Sequence, residues 1–199
     1  MPPVAARGAI VLENAAVLVL ALWLGWTTTS LLWIYWWQSV VIGVFAVLRI
    51  LALRRFSTEG FSSNGERVPE TEKGKRSTAV FFCVHYGLFH LGYLVFLTGF
   101  GAVTSVGLLP LLVSIASFAW GHGTSWRRNV AADLDGKPNL GTLMFLPYAR
   151  IVPMHLLIIL GGFVPVDGLL LALFIALKTG ADLLMHEVEH RILRRSRAS

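Results

Sequence analysis

Long apolar stretches alternate with polar connections along the whole chain. Six of them reach or approach the roughly 20 residues that a helix needs to cross a bilayer. The pattern predicts spanning helices over residues 9–24, 29–53, 77–97, 103–120, 142–163 and 166–190. Pro110 is expected to kink the fourth, while Pro147 and Pro153 interrupt the fifth. Membrane helices accept such prolines when neighbouring groups satisfy the freed carbonyls. Arg7 followed by an apolar run resembles a secretion signal, but Glu13 and Asn14 break the run and no small-x-small cleavage site follows GWTTTS. The segment therefore reads as a retained first helix. The expected fold is all-α, a polytopic membrane bundle forming a single integral membrane domain over residues 1–199.

The connections carry a second pattern. Lys and Arg occur at the N-terminus (Arg7), in the second connection (Arg54, Arg55, Arg67, Lys73, Lys75, Arg76), in the fourth (Arg127, Arg128, Lys137) and at the C-terminus (Arg191, Arg194, Arg195, Arg197). The first, third and fifth connections have none. Positive residues collect on the cytoplasmic side, so the alternation places both termini in the cytoplasm and the chain in the cytoplasmic (inner) membrane. Residues 56–76 are rich in Gly, Ser and charge and read as a flexible cytoplasmic loop. In the fourth connection Trp126 beside Arg127 and Arg128 suggests an interfacial segment, and DGKPN suggests a turn.

Composition agrees. The chain is 55% hydrophobic and 14% charged, against about 25% charged residues in soluble domains. The net charge of +6 is absorbed by the cytoplasmic connections, which argues against a nucleic-acid partner. The expected partner is the lipid bilayer, with self-association left open. Cys83 is the sole cysteine, so no intrachain disulfide can form. Trp23, Trp26 and Trp33 fall where an outer aromatic belt belongs. No phosphate-binding loop, dinucleotide fingerprint or serine nucleophile elbow is present.

Ionisable residues inside the apolar stretches carry the candidate chemistry. Each costs at least about 2.5–3.5 kcal/mol at the centre of a membrane helix. They are tolerated when they face one another, a cavity or a bound ion. His85 and His90 lie on the third span, Arg150 and His155 on the fifth, and Lys178, Asp182, His186 and His190 on the sixth. At about 1.5 Å per residue, His85, Arg150 and Asp182 share a level about 12 Å deep, and His90, His155 and Lys178 one about 20 Å deep. Lys178, Asp182, His186 and His190 make one stripe at helical spacing, with Glu189 on it and Glu187 turned away. His85 and His90 lie about 140° apart and cannot both address one ion. His90 groups instead with Tyr86 and Tyr93.

Residues 186–190 read HEVEH. Imidazoles four apart share a helix face and suit a transition metal. The leading expectation is a zinc or other transition-metal site near the cytoplasmic side, held by His85, Asp182, His186 and His190. His90, Arg150, His155 and Lys178 would then supply charge balance or a relay. In the hydrolase alternative, Glu187 or Glu189 activates a metal-bound water. Two further alternatives are a b-type haem between His90 and His155 and a purely structural polar core in which Lys178 and Asp182 pair. His122, within GHG, reads as a loop histidine.

The segments LLWIYWWQSVVIGVFAVLRIL, FFCVHYGLFH and KTGADLLMHEVEH resemble an uncharacterised prokaryotic family of small polytopic membrane proteins. That family is a domain of unknown function with an HYG span and a K…D…H span. The resemblance implies a membrane fold and directs attention to Tyr35, Trp36, His85, Tyr86, Gly87, Lys178, Asp182 and His186, and it implies no activity. Gln38 departs from it where a more polar or acidic pair is expected after Tyr-Trp. A fainter similarity connects the last span to seven-span zinc hydrolases of lipid amides. This chain has Phe81 in place of their serine and is one span shorter.

Overall fold

The computed structural model describes residues 28–100, 108–161, 172–173 and 175–184, together with residues 8, 11, 12, 15, 19, 23 and 187. The chain is mostly helical. Four long helices follow in order: α1 (Thr28–Ala52), α2 (Glu72–Phe100), α3 (Leu108–Asp135) and α4 (Leu140–Gly161). Residues 175–184 form a further helical stretch. The first expected span, 9–24, lies almost entirely outside the described residues, as does the end of the sixth.

Helix α1 is the hub and packs on α2, α3 and α4. Its first turns are buried on every side at Ser30, Leu31, Leu32, Trp33 and Ile34, as expected of a helix that is apolar all round. Helix α2 buries one narrow seam, Ala79, Phe82, Tyr86, His90, Tyr93 and Leu97. Those steps of three and four keep one stripe facing α1. The remaining apolar surface of α2, including Val84, Leu88 and Val95, is exposed. Two helices, Thr29–Ala52 and Glu72–Gly99, are long and apolar enough to cross a membrane, and Leu140–Ala149 is a shorter apolar run.

Several expected boundaries move. The fourth stretch was predicted to end at Trp120, yet α3 continues through GHG to Asp135. Gly121 and Gly123 do not make a turn. A Cβ on Gly123 would stand 3.4 Å from the Phe45 ring of α1, an ordinary contact, so this part of α3 continues as helix against α1. His122 is accordingly a helical residue, stacked on Phe118 at 5.5 Å and set against Phe45 at 5.4 Å. The turn comes at Gly136, whose N–H donates to the Asp133 carbonyl.

Residues 56–76, expected as a flexible loop, carry folded elements. Strand β1 (Ser62–Ser63) pairs antiparallel with β2 (Glu66–Arg67). Asn64 and Gly65 between them adopt φ of 53° and 82°, the positive values of the Asn-Gly hairpin turn. Phe56, Thr58 and Val68 are buried. This connection is tied to the one before α4: the Ser57 N–H donates to the Pro138 carbonyl at 2.9 Å and the Leu140 N–H to the Ser57 carbonyl at 2.8 Å. Glu70 gathers Lys137 and Arg67, both at 2.8 Å, and the Thr58 N–H at 3.2 Å. The bond from Lys137, then those from Thr58 and Arg67, hold its carboxyl below the ordinary carboxylate value. Lys75 is buried and closes the C-terminal end of α1 by donating to the Leu53 carbonyl at 2.6 Å.

Candidate functional site

The polar residues of the helical interior fall into adjoining groups. The Lys178 ammonium pairs with Asp182 at 2.6 Å, one turn away on the same helix. Both side chains are half-buried, and the ammonium lies 5.2 Å from the centre of the Tyr35 ring on α1. An i,i+4 spacing brings such side chains together on one face, and the aromatic face adds a cation–π contact. The depth estimate put these two residues on separate levels, whereas the extended lysine stem spans the turn between them.

His90 sits at the α1–α2 contact and is buried. One ring nitrogen, Nε2, bonds to the Ser39 hydroxyl, and the other, Nδ1, to the Tyr86 carbonyl at 2.8 Å. The Tyr86 hydroxyl donates to the Ser39 carbonyl at 2.9 Å, and the Trp36 indole N–H donates to the His90 carbonyl at 3.0 Å. This is the satisfied state that buried polar groups require. The expected grouping of His90 with Tyr86 and Tyr93 is present, with ring centres 4.3 and 6.1 Å away.

Two further imidazoles meet tyrosines across α2 and α4. The Tyr93 hydroxyl and His155 Nδ1 lie 3.1 Å apart, and the Tyr148 hydroxyl and His85 Nδ1 lie 2.8 Å apart. His85 is exposed, stacked on Phe81 at 5.2 Å and edge-on to Phe89 at 5.1 Å. Its Nε2 makes no hydrogen bond among the described residues. If Nδ1–H donates to Tyr148, Nε2 presents a lone pair. The reverse bond would place the proton there.

The expected ligand set is therefore reached only in part. His186, His190 and Glu189 lie outside the described residues, as does the side chain of Arg150. Glu187 is half-buried and has a partner. Among the described residues, no three His, Cys, Asp or Glu side chains are grouped to hold a metal ion. His85 and His90 have different partners on different helices, in keeping with their angular separation. A haem between His90 and His155 meets a chemical obstacle, because both His90 ring nitrogens are engaged and an axial iron bond needs one of them.

Ser39, Tyr148 and the Arg49–Asp133 pair were missed in the sequence. Arg49 of α1 grips Asp133 of α3 through two bonds at 2.5 and 3.0 Å. The paired residues are 84 positions apart, and no short-range spacing announces them. Ser39 is a lone hydroxyl in an apolar run, and Tyr148 reads as one more interfacial aromatic.

No curated protein and no solved structure matches the chain. Residues 2–199 match a family of unknown function, DUF6498. The match takes in nearly the whole chain, including the HYG segment of α2 and the Lys178–Asp182 pair, and the chain belongs to that family.

Proposed function

We propose that this protein is a six-span component of the cytoplasmic membrane, with both termini in the cytoplasm, that binds a transition metal near its cytoplasmic side. Zinc suits the donor types best. The ligands are His85, Asp182, His186 and His190. The single observation that carries this reading is His85. Tyr148 holds it through Nδ1, Phe81 and Phe89 fix its plane, and Nε2 is left uncommitted. Metal-binding histidines are oriented in this way, with the second nitrogen donating to an outer partner. Asp182 lies four residues before His186, a spacing at which a continuous helix would present carboxylate and imidazole on one face.

The six-span topology draws support from the two long apolar helices and from the alternation of basic connections. On a Cys83→Ser background, Ser63→Cys should react with an impermeant thiol reagent only from the cytoplasmic side, and Thr27→Cys only from the other. The opposite pattern, or labelling of both from one side, would overturn the topology.

A structural polar core is the second reading, and the Lys178–Asp182 pair favours it, because the two charges neutralise each other without an ion. Elemental analysis separates the two. Chelator-washed protein reloaded with zinc and dialysed should retain about one zinc per chain, as one four-ligand site requires. His85→Ala and His186→Ala should each abolish retention. Protein that keeps no zinc after reloading has only the structural core. Glu187 and Glu189 would serve as bases if the metal hydrolyses a substrate, but no observation favours hydrolysis over simple binding.

A further inference from the structure

Helix α2 has a second face, turned away from its buried seam. Lys73 and Arg76 stand on it in the first turns, followed by Val80, Val84, Leu88, Leu91 and Val95. At about 100° per residue these seven positions fall within about 120° of the helix circumference. All seven are exposed, the apolar ones by 57–66%. From Val80 to Val95 the helix advances about 22 Å, enough to line the roughly 15 Å of hydrocarbon in one leaflet. The face is therefore cationic at one end and apolar beyond it.

The cations on this face are uncommitted. Neither Lys73 nor Arg76 makes an ion pair or a side-chain hydrogen bond among the described residues. The nearest carboxylates in sequence are engaged by other cations. Glu72 pairs with Lys75 at 2.7 Å, and Glu70 with Lys137 and Arg67 at 2.8 Å. Helix α2 has no acidic residue after Glu72. The Lys75 ammonium also binds the Leu53 carbonyl at 2.6 Å, which keeps the exposed Arg54 and Arg55 beside the first turns of α2. A second copy of the chain is a poor occupant, because a two-fold pairing along this face sets Lys73 and Arg76 against their own counterparts. An acidic phospholipid matches both parts, with its phosphate at the cations and its acyl chains along the apolar stripe.

We propose that this face of α2 binds one acidic phospholipid of the cytoplasmic leaflet, held by Lys73 and Arg76 with Arg54 and Arg55 beside them. The site rests on the proposed topology, in which α2 crosses the bilayer with Glu72 on the cytoplasmic side, and is independent of the metal. The acyl chains contribute little selectivity, because the surrounding lipid is equally apolar, so headgroup charge selects the occupant.

The test uses the full chain in phosphatidylcholine nanodiscs doped with nitroxide-labelled phosphatidylglycerol or phosphatidylcholine of the same acyl chains. Electron paramagnetic resonance should show a motionally restricted component that is larger for phosphatidylglycerol. The Lys73→Gln/Arg76→Gln double variant should cut that preference about fivefold, the attraction of a cation near an anionic membrane surface, and leave the phosphatidylcholine component unchanged. Both residues are exposed and unbonded among the described residues, so the variant is expected to fold. Arg127→Gln removes an exposed cation from α3 and should leave the preference intact. Equal restriction of the two lipids, no response to the double variant, or an equal loss with Arg127→Gln would each overturn the proposal and indicate diffuse attraction of annular lipid. Failure of the topology has a different signature. A bimane group on Cys83, which is exposed on α2, would then escape quenching by nitroxides on the acyl chains of either lipid, and the lipid site would fall with it.

Discussion

Lys178 and Asp182 show how much a single side chain can decide. Their side chains are only 24% and 20% exposed, so neither charge is well hydrated when alone. Lys178→Met should lower stability by about 3 kcal/mol by removing the ammonium that balances the half-buried Asp182 carboxylate. A Lys178→Met/Asp182→Leu double variant should regain most of the loss in detergent melting curves. The same substitution probes the metal reading with the opposite sign. Lys178 competes for the Asp182 carboxylate, so Lys178→Met should raise zinc affinity if Asp182 is a ligand. At His85 the informative change is Tyr148→Phe. It removes the bond that orients the ring while keeping the ring packing. Outer partners of metal-binding histidines are typically worth about 10–100-fold in affinity. Titration with zinc should show a loss on that scale, and no change would mean that the Tyr148 bond has no part in metal binding.

Between elements, the contacts that matter join residues remote in sequence. Arg49 joins α1 to α3 by a bidentate bond in which Asp133 is buried. Arg49→Met should cost about 3–5 kcal/mol by stranding that carboxylate, visible as an early melting transition, and Asp133→Asn should be milder because it leaves no buried negative charge. The α1–α2 contact has its own tight point. A Cβ at Gly43 would stand 2.6 Å from the Tyr86 ring. Gly43→Ala must displace a ring that bonds to Ser39 and stacks on His90, so about 1–3 kcal/mol of destabilisation is expected. The helices were legible in the sequence because their apolar runs are long. The end of α3 was misjudged because Gly121 and Gly123 were read as a turn, although glycine also permits close packing of two helices. In the packed chain both glycines simply continue the helix, against α1 at Gly123.

Across the molecule, the connection before α2 and the connection before α4 brace the described helices to one another. Glu70 is the clearest handle. Its folded-state value is depressed, so the stabilisation it provides is present at neutral pH, above its unfolded value. It is lost as pH falls through the folded value. Wild type should therefore melt above Glu70→Gln at neutral pH, with the gap closing in acid. A gap independent of pH would mean that the bonds to Lys137, Thr58 and Arg67 do not depend on the carboxylate charge. The hairpin itself was partly legible, since Asn64-Gly65 is a strong turn signal. Its docking on residues 136–142 was not, because backbone pairing with a distant segment leaves no local pattern.

Helical class and the expected orientation in a bilayer are written in composition and period, since every span must satisfy its own backbone within the membrane and must be apolar to remain there. The candidate polar residues were legible for the same reason, as each is an exception to that rule. Their partners were settled only by the packed chain. His85 meets Tyr148, His90 meets Ser39 and His155 meets Tyr93 because α1, α2 and α4 cross at particular heights and rotations. Period and hydropathy constrain each helix alone. The relative height and rotation of two helices depend on how their side chains interlock, which belongs to the pair and to neither sequence segment by itself.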